Sequence, residues 1–409
     1  MLLVERHFSS GNPEMIRLCQ LSKELYNRCN FIMRRAWFSY RQQPDYHWPN
    51  ISNLVHAVED LECYQKLHNT KTAKQTIRKL LTDWSNFHKA RRAYAKDQSQ
   101  FLTRPKPPNY KEELAQVIFY SETIKRKPLK SGIIEPTNAL FAIRSSKVFK
   151  QVVVTPKTFG FVIEVQYEVP QQKHVVDKNK VCCIDLGVNN LCAITSDQHL
   201  PLLINGCIPK SINQWYNKNK SKKQSEKRYW RLENYFHHTS KLIIANCLRC
   251  GIGTIVIGKN DGWKTEMNMG HATNQTFQSI PHNNLIQKIQ YKAKQVGIQV
   301  LLTEEAYTSK ASFLDRDSLP KYSPDEQPPQ FSGKRIKRGL YKSKNGTLLN
   351  ADVNGSGNIG RKVIPNSTFG TQWDRSLAAR PVRINPLIPV GEEPLVDSPN
   401  SQTCRFLQI

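Results

Sequence analysis

The sequence predicts an α/β protein that is preceded by a helical region and a β-rich module. Three observations lead to this prediction. Apolar residues recur at helical spacing in the first quarter of the chain, short strand-like runs follow, and strands alternate with helices from about residue 180. A chain of 409 residues also exceeds the size at which one hydrophobic core stops growing. We therefore expect two or three domains.

The excess of positive charge indicates the class of partner. The chain has 60 Lys+Arg against 33 Asp+Glu, a formal net charge of +27, which is typical of proteins that bind a polyanion. No segment offers the roughly 18 uninterrupted apolar residues that a membrane-spanning helix needs. Glu5 and Arg6 come too early for a secretory signal. We expect no membrane partner.

The ten cysteines lie mostly in apolar periodic segments and lack the spacing of a disulfide framework. They are typical of reduced core residues, so we expect a cytoplasmic protein. Cys247 and Cys250 have the spacing of a zinc knuckle, but no second pair follows at a usable distance. Because Gly251 closes a helical pattern directly after them, the end of a helix is the interpretation that we favour.

The N-terminal part is predicted to be a helical region, residues 11–102, set inside a β-rich module. Residues 1–10 alternate like a strand and can pair into the module at 103–175, which opens with the extended, proline-rich connector "TRPKPPNYK". The apolar helical positions that share a face are Leu21, Leu25 and Ile32, and then Ile77, Leu81, Trp84 and Phe87. The opposite faces are basic, which indicates either a solvated surface or a wall that faces RNA or DNA.

Residues 176–363 are predicted to form the α/β part. The hairpin "VCCIDLGVNNLCAITSD" is followed by a long basic helix, the strand "GTIVIGKN", the helix "NNLIQKIQYKAKQVG" and the strand "IQVLLTEE". This alternation predicts a sheet with crossover connections. Residues 364–409 have no sustained periodicity, and we expect them to be disordered.

Acidic residues stand at the ends of these predicted elements. Asp185 ends the first strand, and Glu304 and Glu305 end "VLLTEE". Asp352 stands at the entry to a helix in "NADVNGSGNIGRK", where Asn354, Gly355 and Ser356 suit a loop that runs into the helix bearing Ile359. Each alone is explained as a turn or cap residue. Together they suit two-metal phosphodiester cleavage, which needs several carboxylates from different elements, and their order along the chain matches an RNase H-like sheet.

Four motifs carry a resemblance to a known family. In order, "IDLGVNNLCAIT", "GTIVIGKNDGWK", "TEEAYTSKASFLDRD" and "NADVNGSGNIGRK" resemble the RuvC-like nuclease half of the transposon-encoded TnpB family, which is related to compact type V CRISPR effectors and Fanzors. The resemblance implies a recognition domain at 11–102, a β-barrel-like wedge at 1–10 and 103–175, and a nuclease domain at 176–363. It also implies an RNA-guided endonuclease of a transposable element.

The resemblance further implies the partners, the cofactor and the site. The partners are a guide RNA and target double-stranded DNA that carries a short flanking motif. The cofactor is Mg²⁺, with two ions per site and Mn²⁺ as a substitute. Asp185 corresponds to the first catalytic and metal-binding carboxylate and Asp352 to the third. The expected location is the prokaryotic cytoplasm, at the nucleoid when bound to DNA; no oligomeric state is predicted.

The chain departs from the family pattern at the second carboxylate. The family usually carries a glutamate at the end of the middle strand, where this chain has Gly258. Glu305, on the neighbouring strand, is expected to replace it as the catalytic and metal-binding acid. Glu304 is the alternative, because adjacent strand residues point to opposite faces. Asp261 is a third, weaker candidate.

A second departure concerns the zinc ribbon of the family. The positions expected for its ligands hold Ser312, Asp315, Lys342 and Asn345, so we expect no structural zinc. A hairpin insert at about 311–350, with Asn345-Gly346 at the turn of "YKSKNGTLL", is expected in its place.

Several further residues are candidates for nucleic-acid contact. Four basic residues are expected to hold the DNA strand over the site: Lys334, Arg335, Lys337 and Arg338. The segment "NKNKSKKQSEKRYWR" is either a solvated helix or one that follows the guide-target duplex, in which case Arg228 and Arg231 are the expected contacts. Tyr307, beside the proposed acid, is expected to stack against nucleic acid. Tyr307 can alternatively pack in the protein. Asn27 and Asn30 are weaker candidates for contacting the flanking motif.

Other functions stay open at this point. A guided DNA-binding protein with an inactive nuclease, acting as a repressor or targeting factor, would explain the missing acid at Gly258. An actin-like ATPase can also begin with "DLG", but the chain has no second phosphate or adenosine motif. A transposase that joins DNA ends is a further alternative.

Overall fold

The structure is a computed structural model, and it describes most of the chain. The described residues are 2–40, 47–67, 69–98, 101, 103–137, 141–172, 174–259, 280–320, 329–364 and 378–388. They divide into two compact units, Met1–Val169 and Pro170–Ile409. Among these residues, no helix has the length and apolar character required to cross a membrane.

The first unit contains the predicted helices. Their bounds are α1 (Pro13–Arg35), α2 (Ile51–Val58), α3 (Glu62–Gln65), α4 (Thr70–Lys96) and α5 (Arg126–Lys130), with a π-helical turn (Ala36–Tyr40) after α1 and a 3-10 turn (Ser121–Thr123) before α5. Asn12 and Asn69 cap α1 and α4, each through its side-chain oxygen. Leu25 of α1 and Trp84 of α4 are almost fully buried, which confirms the predicted apolar faces.

A four-stranded antiparallel sheet completes the first unit. Its strands are β1 (Leu2–Ser9), β2 (Val117–Tyr120), β5 (Phe149–Lys157) and β6 (Gly160–Glu168), in the order β1-β6-β5-β2, beside a short pair of β3 (Ile133–Ile134) and β4 (Ile143–Arg144). The pairing of β1 with β6 confirms that the first residues join the later β-module. Its barrel-like closure and the predicted domain bounds stay predictions.

The second unit is built around a mixed six-stranded sheet. Its strands are β7 (Asp177–Leu186), β8 (Asn190–Ser196), β9 (His199–Asn205), β10 (Ile252–Gly258), β11 (Gln299–Thr303) and β15 (Val382–Ile384), in the order β11-β10-β7-β8-β9-β15. The β7-β8-β9 meander is antiparallel, whereas β10 is parallel to both β7 and β11. The carboxyl ends of β7, β10 and β11 therefore meet at one edge of the sheet.

Helices cover both faces of this sheet. They are α6 (Cys207–Lys218), α7 (Lys222–Arg249), α8 (His282–Val296) and α9 (Ala351–Val363). Cys182 and Ile184 of β7 pack in the cluster that includes α7 and α8, whereas Val181 and Cys183 pack with Ile359 of α9. Side chains alternate along a strand, so the next residue, Asp185, belongs to the face that α9 covers.

A small antiparallel sheet lies between β11 and α9 in the sequence. It consists of β12 (Lys334–Lys337), β13 (Leu340–Lys342) and β14 (Leu348–Asn350). The β13-β14 hairpin confirms the turn predicted from "YKSKNGTLL", and Gly346 adopts the positive φ of 89° that this turn requires.

The C-terminal region requires a correction. Residues 364–409 were expected to be disordered, but β15 (Val382–Ile384) pairs in parallel with β9, and Ile384 is buried in the core. A three-residue strand is too short to show periodicity in the sequence. Residues 365–377 and 389–409 lie outside the described part.

Candidate active site

Three carboxylates come together at the edge where β7, β10 and β11 end. Asp185 lies next to the end of β7, Glu305 follows β11, and Asp352 lies in the first turn of α9. The negative charges of Glu305 and Asp352 both act on Asp185, which shows that the three groups are neighbours. The structure thus groups the three acids that the sequence singled out.

Gly258 provides the space that Glu305 occupies. A Cβ atom at this last residue of β10 would clash with Glu305 Oε1 and would lie 2.6 Å from Ile359 Cδ1. The Glu305 carboxylate therefore fills the volume where a side chain at position 258 would begin. Asp261, the third candidate for this role, lies outside the described residues.

Glu304 is directed away from this group. Its carboxylate is about half exposed and accepts a 2.7 Å hydrogen bond from Lys362 Nζ. The structure therefore brings Glu305, and not Glu304, next to Asp185. This difference follows from the alternation of side chains where β11 ends.

Asp352 is held by a neighbouring amide and does not cap its helix. Asn350 is the N-cap of α9, because its Oδ1 accepts from the backbone of Asp352 and Val353 at 2.9 and 3.3 Å. The explanation of Asp352 as a cap is therefore wrong. Its Oδ2 instead accepts a 2.7 Å hydrogen bond from Asn190 Nδ2, at the start of β8. The positive end of the α9 dipole favours a carboxylate at this place.

Two residues of the site were missed by the sequence reasoning. Asn190 orients Asp352, and its only signal was an amide at the start of a predicted strand. Gly355 lets α9 approach β7, since a Cβ there would clash with Asp185 Oδ2. The expected loop at Asn354–Ser356 is wrong, because these residues lie inside α9, and a glycine within a helix can mark such a close approach.

Burial raises the pKa of two of these acids, Asp185 and Glu305. Burial, followed by the charges of Glu305 and Asp352, raises the pKa of Asp185 well above its ordinary value, and Arg335 opposes this effect. Burial likewise raises the pKa of Glu305 to about 8, while the charge of Lys362 lowers it. A bound cation would stabilise the ionised forms of these groups.

The oxygen donors suit a hard divalent cation, since Mg²⁺ prefers carboxylates and water. Gly258 also leaves room for one of these donors. As the side chains stand, however, no group of three or more His, Cys, Asp or Glu in the described part of the chain is arranged to hold a metal ion.

A hydrogen-bonded clasp occupies the region expected for the zinc ribbon. The Asp317 carboxylate accepts from the backbone of Ser312 and Ser332 at 2.7 and 3.0 Å, and from Ser332 Oγ at 2.6 Å. The Asp315 carboxylate accepts from Ser312 Oγ at 2.6 Å and from the backbone of Lys344 at 2.7 Å. We name these five residues the carboxylate clasp; it joins the loop after β11 to the β13-β14 hairpin.

The clasp region is also fastened to α9. Asn354 and Asn358 each donate to the carbonyl of Ala311 at 2.8 Å, and Asn354 Oδ1 accepts from the backbone of Phe313 at 2.9 Å. Arg361 donates to the carbonyl of Asp317 at 2.8 Å. The helix that carries Asp352 and the insert are therefore connected by direct hydrogen bonds.

The basic candidates of the insert are exposed. Lys334, Arg335 and Lys337 lie on β12 and Arg338 follows it, and all four side chains are exposed. Arg335 comes nearest to the acids, with a guanidinium nitrogen 3.9 Å from Asp352 Oδ1. This places a basic surface beside one carboxylate of the candidate site.

Arg228 and Arg231 of α7 have different surroundings. Arg228 Nε donates to Asn213 Oδ1 at 2.6 Å, and its guanidinium lies 5.3 Å from the Tyr216 ring, so it joins α7 to α6. Its Nε donor is therefore used inside the protein, and the expected contact of Arg228 with nucleic acid stays a prediction. Arg231 is exposed and lies 5.0 Å from the Trp215 ring.

Tyr307 and the two asparagines of α1 make internal contacts. The centre of the Tyr307 ring lies 5.9 Å from that of Phe331, so the ring packs inside the protein, which is the second of the two roles considered for it. Asn27 exchanges two hydrogen bonds with the backbone of Lys111. The Asn30 amide donates to two carbonyls of the connector and accepts from Trp84 Nε1 at 3.0 Å. The amides of Asn27 and Asn30 therefore hold the connector, and their role at a flanking motif stays a prediction.

Residues 282–359, which span α8, the insert and most of α9, match the family described as Cas12f1-like, TNB domain. No curated protein matches the chain significantly.

Three solved structures are similar to parts of the chain. A cryo-EM structure of a Cas12f1-sgRNA-target DNA complex shares 16% identity and a TM-score of 0.47, covering 84% of this chain and 81% of the other. A CRISPR-Cas12f ternary complex has 15% identity and a TM-score of 0.30, and the match covers 85% of this chain and 80% of the other. C2c1 of Alicyclobacillus acidoterrestris with single-guide RNA has 14% identity and a TM-score of 0.24, and the match covers 89% of this chain and 32% of the other. With TM-scores below 0.5, these likenesses do not establish a shared fold.

The matched segment confirms the resemblance that the motifs indicated. It contains "TEEAYTSKASFLDRD" and most of "NADVNGSGNIGRK", two of the four motifs. Through this Cas12f1-like segment, the chain is related to the TnpB family and the compact type V effectors.

Proposed function

We propose that this protein is an RNA-guided DNA endonuclease encoded by a transposable element, in which Asp185, Glu305 and Asp352 form the nuclease site. The observation that carries the proposal is the position of Glu305, whose carboxylate lies in the space left by Gly258 and acts electrostatically on Asp185. An acid missing from one strand is thus replaced from its neighbour. The RNase H-like order of strands supports the same assignment.

The three carboxylates would hold Mg²⁺, which supplies an activated water and stabilises the charge of the leaving oxygen when bound. Asn190 fixes the orientation of Asp352 through its 2.7 Å hydrogen bond, so that one carboxylate oxygen is already positioned. Lys362 lies near Glu305 and favours its ionised form. Gly355 allows α9 to bring Asp352 toward Asp185.

The proposed partners are a guide RNA and target double-stranded DNA. The net charge of +27 supports binding of polyanions, and the Cas12f1-like segment supports this particular class. In such enzymes base pairing reads the target, whereas the protein grips backbones and checks a short flanking motif. The sequence specificity would therefore reside mainly in the RNA.

The exposed basic residues of the insert are proposed to hold a DNA strand over the site. Lys334, Lys337 and Arg338 are exposed near Arg335, which lies 3.9 Å from Asp352. Charge reversal at these four positions is expected to reduce cleavage while leaving the carboxylates in place. If that variant cleaves like the unmodified protein, while Asp352→Ala is inactive, this role is wrong.

One observation favours a second function, guided binding without cleavage. The last residue of β10 is Gly258, at the place where the TnpB family usually carries a glutamate. A protein of this kind would act as a repressor or targeting factor. It would bind guide and target with the same basic surfaces.

A single experiment separates the two functions. The protein, copurified with its RNA, is incubated with a DNA library flanked by random bases, in Mg²⁺ and in EDTA. The proposal expects cutting that requires both RNA and Mg²⁺ and that is lost in Asp185→Ala. Guide-dependent binding without cutting would select the repressor, and absence of RNA from the purified protein would contradict both.

A further inference from the structure

An exposed row of rings lies at the end of α1 and on the connector that follows α4. Phe31, Phe38 and Tyr110 have 57%, 60% and 45% of their surfaces exposed. Single exposed apolar side chains are common on proteins, but adjacent aromatic ones indicate a binding surface. We name Phe31, Arg34, Phe38 and Tyr110 the aromatic strip.

Arg34 joins the rings of the strip. Its guanidinium carbon lies 5.4 Å from the centre of the Phe38 ring and 5.5 Å from that of Tyr110. A guanidinium nitrogen also donates to the carbonyl of Pro108 at 2.8 Å. The cation is therefore held between two ring faces, where it extends a flat, π-rich surface.

The strip rests on a fixed backbone. Asn27 bonds to both the amide and the carbonyl of Lys111, directly after Tyr110. Asn30 is fully buried and donates to the carbonyls of Pro108 and Asn109. The buried amide of Asn30 and the half-buried amide of Asn27 thus hold Tyr110 in place, which lowers the entropic cost of binding a ligand on it.

A groove beside the rings carries positive charge. Its volume is about 530 Å³, and Phe31 and Tyr110 form part of its wall. Lys23, Arg28 and Glu24 line it as well, so two cations outnumber one acid. Arg28 lies 3.7 Å from Glu24, and Lys23 donates to the carbonyl of Glu112. The combination of ring faces with adjacent cations suits a base and its phosphate.

We propose that the aromatic strip binds unpaired bases of the RNA partner, with the phosphates in the adjacent groove. Bases of duplex DNA are stacked inside the helix and offer only their edges, so exposed rings suit a single-stranded segment. A second copy of a chain with a net charge of +27 would meet a surface of its own sign. This inference rests on the proposed function for the presence of RNA, but not on cleavage.

The first test measures affinity. Full-length Asp185→Ala protein, freed of its RNA, is titrated with a fluorescent unstructured oligouridine RNA, and anisotropy gives the Kd. Phe31→Ala and Tyr110→Ala are each expected to weaken binding about tenfold, the order that one stacked base contributes. Tyr110→Phe should retain the affinity. Ile16→Ala removes another exposed side chain, 41% exposed, from the same helix and should change nothing.

Salt dependence separates stacking from charge. The ring variants should keep the slope of log Kd against log salt, whereas Lys23→Ala should reduce it. Unchanged affinity in both ring variants would overturn the proposal. So would a change in oligomeric state, measured by sedimentation, since it would assign the strip to a second copy.

The second test identifies the bound nucleic acid. The protein with its copurified RNA and target DNA is cross-linked with ultraviolet light, and modified peptides are sequenced by mass spectrometry. Ribonucleotide adducts on the Phe31 or Tyr110 peptides support the proposal, and deoxyribonucleotide adducts there overturn it. If the unmodified protein binds no RNA at all, the proposed function itself fails. If the unmodified protein binds RNA and only the Phe31→Ala and Tyr110→Ala variants lose affinity, the result bears on the aromatic strip and leaves the proposed function standing.

Discussion

Glu305 occupies the space that a side chain at Gly258 would need. The two residues lie on neighbouring parallel strands or directly after them, and a Cβ at Gly258 would clash with Glu305 Oε1. A side chain at position 258 and the Glu305 carboxylate therefore cannot occupy this space at the same time. This relationship explains how a chain without the middle-strand glutamate can still present three carboxylates.

Replacement of Glu305 by Gln should abolish cleavage, whereas Glu304→Gln should not. Glu305 lies next to Asp185, while Glu304 is half exposed and bonded to Lys362. We expect Glu305→Gln to lower the cleavage rate more than about a hundredfold, because even partners of metal ligands often contribute ten- to hundredfold. Single-turnover cleavage of a guide-matched duplex measures this. Equal loss in both variants would argue against the assignment of Glu305.

Removal of the Asn190 amide should reduce cleavage without abolishing it. Asn190→Ala deletes the hydrogen bond that orients Asp352, so a loss of about ten- to hundredfold is expected. Asn189→Ala, in the adjacent turn, serves as the control and should cleave normally. The difference should appear in the concentration of Mg²⁺ needed for half-maximal rate. If Asn190→Ala needs no more Mg²⁺ than Asn189→Ala, this orienting role is incorrect.

The carboxylate clasp should stabilise the insert. Asp317→Ala leaves the amides of Ser312 and Ser332 without their acceptor, and hydrogen bonds to a charged group contribute about 1.5–3 kcal/mol each in favourable cases. We expect faster hydrogen exchange at residues 312–317 and 340–350, measured by mass spectrometry. Glu226→Ala on α7 is the control. Unchanged exchange in the insert of Asp317→Ala would show that the clasp is dispensable.

Stability should fall in mild acid because of His199. Burial lowers the pKa of this imidazole to about 4, and its ring donates to the carbonyl of Leu200. Because its pKa is lower in the folded state, His199 binds fewer protons there than in the unfolded state. Its contribution to the free energy of unfolding is therefore complete above the ordinary histidine pKa of about 6.5 and is lost as the pH falls toward 4.

The free energy of unfolding, measured in urea at pH 7 and pH 4.5, should decrease by about 2 kcal/mol more in the unmodified protein than in His199→Gln. His174→Gln, at an exposed position, is the control and should behave like the unmodified protein. An identical pH dependence in all three proteins would mean that His199 is not buried in its neutral form.

Local patterns in the sequence predicted much of this fold. The apolar run in "VCCID" identified the buried strand β7 and its acid, and "YKSKNGTLL" predicted the β13-β14 hairpin. These features depend on residues close together in the chain, where periodicity and turn chemistry are decisive. The acids were found because each follows a strand or begins a helix.

Long-range contacts could not be predicted in this way. Asn30 reaches the connector, Arg228 bonds to Asn213 of another helix, and Gly355 admits α9 to β7. In each case the residue meets a partner that is distant in the sequence, and the residues next to it in the chain do not indicate which partner that is. The short strand β15 was missed because it needs the edge of β9 to form.

The most direct test transfers the carboxylate back to the middle strand. The double variant Gly258→Glu with Glu305→Gly places an acid on β10 and removes the one that fills the same space. Cleavage of guide-matched DNA in Mg²⁺ should be lost in either single variant and should return, at least in part, in the double variant. Activity in Glu305→Gly alone, or a double variant no better than the singles, would contradict the proposal that Glu305 completes the nuclease site.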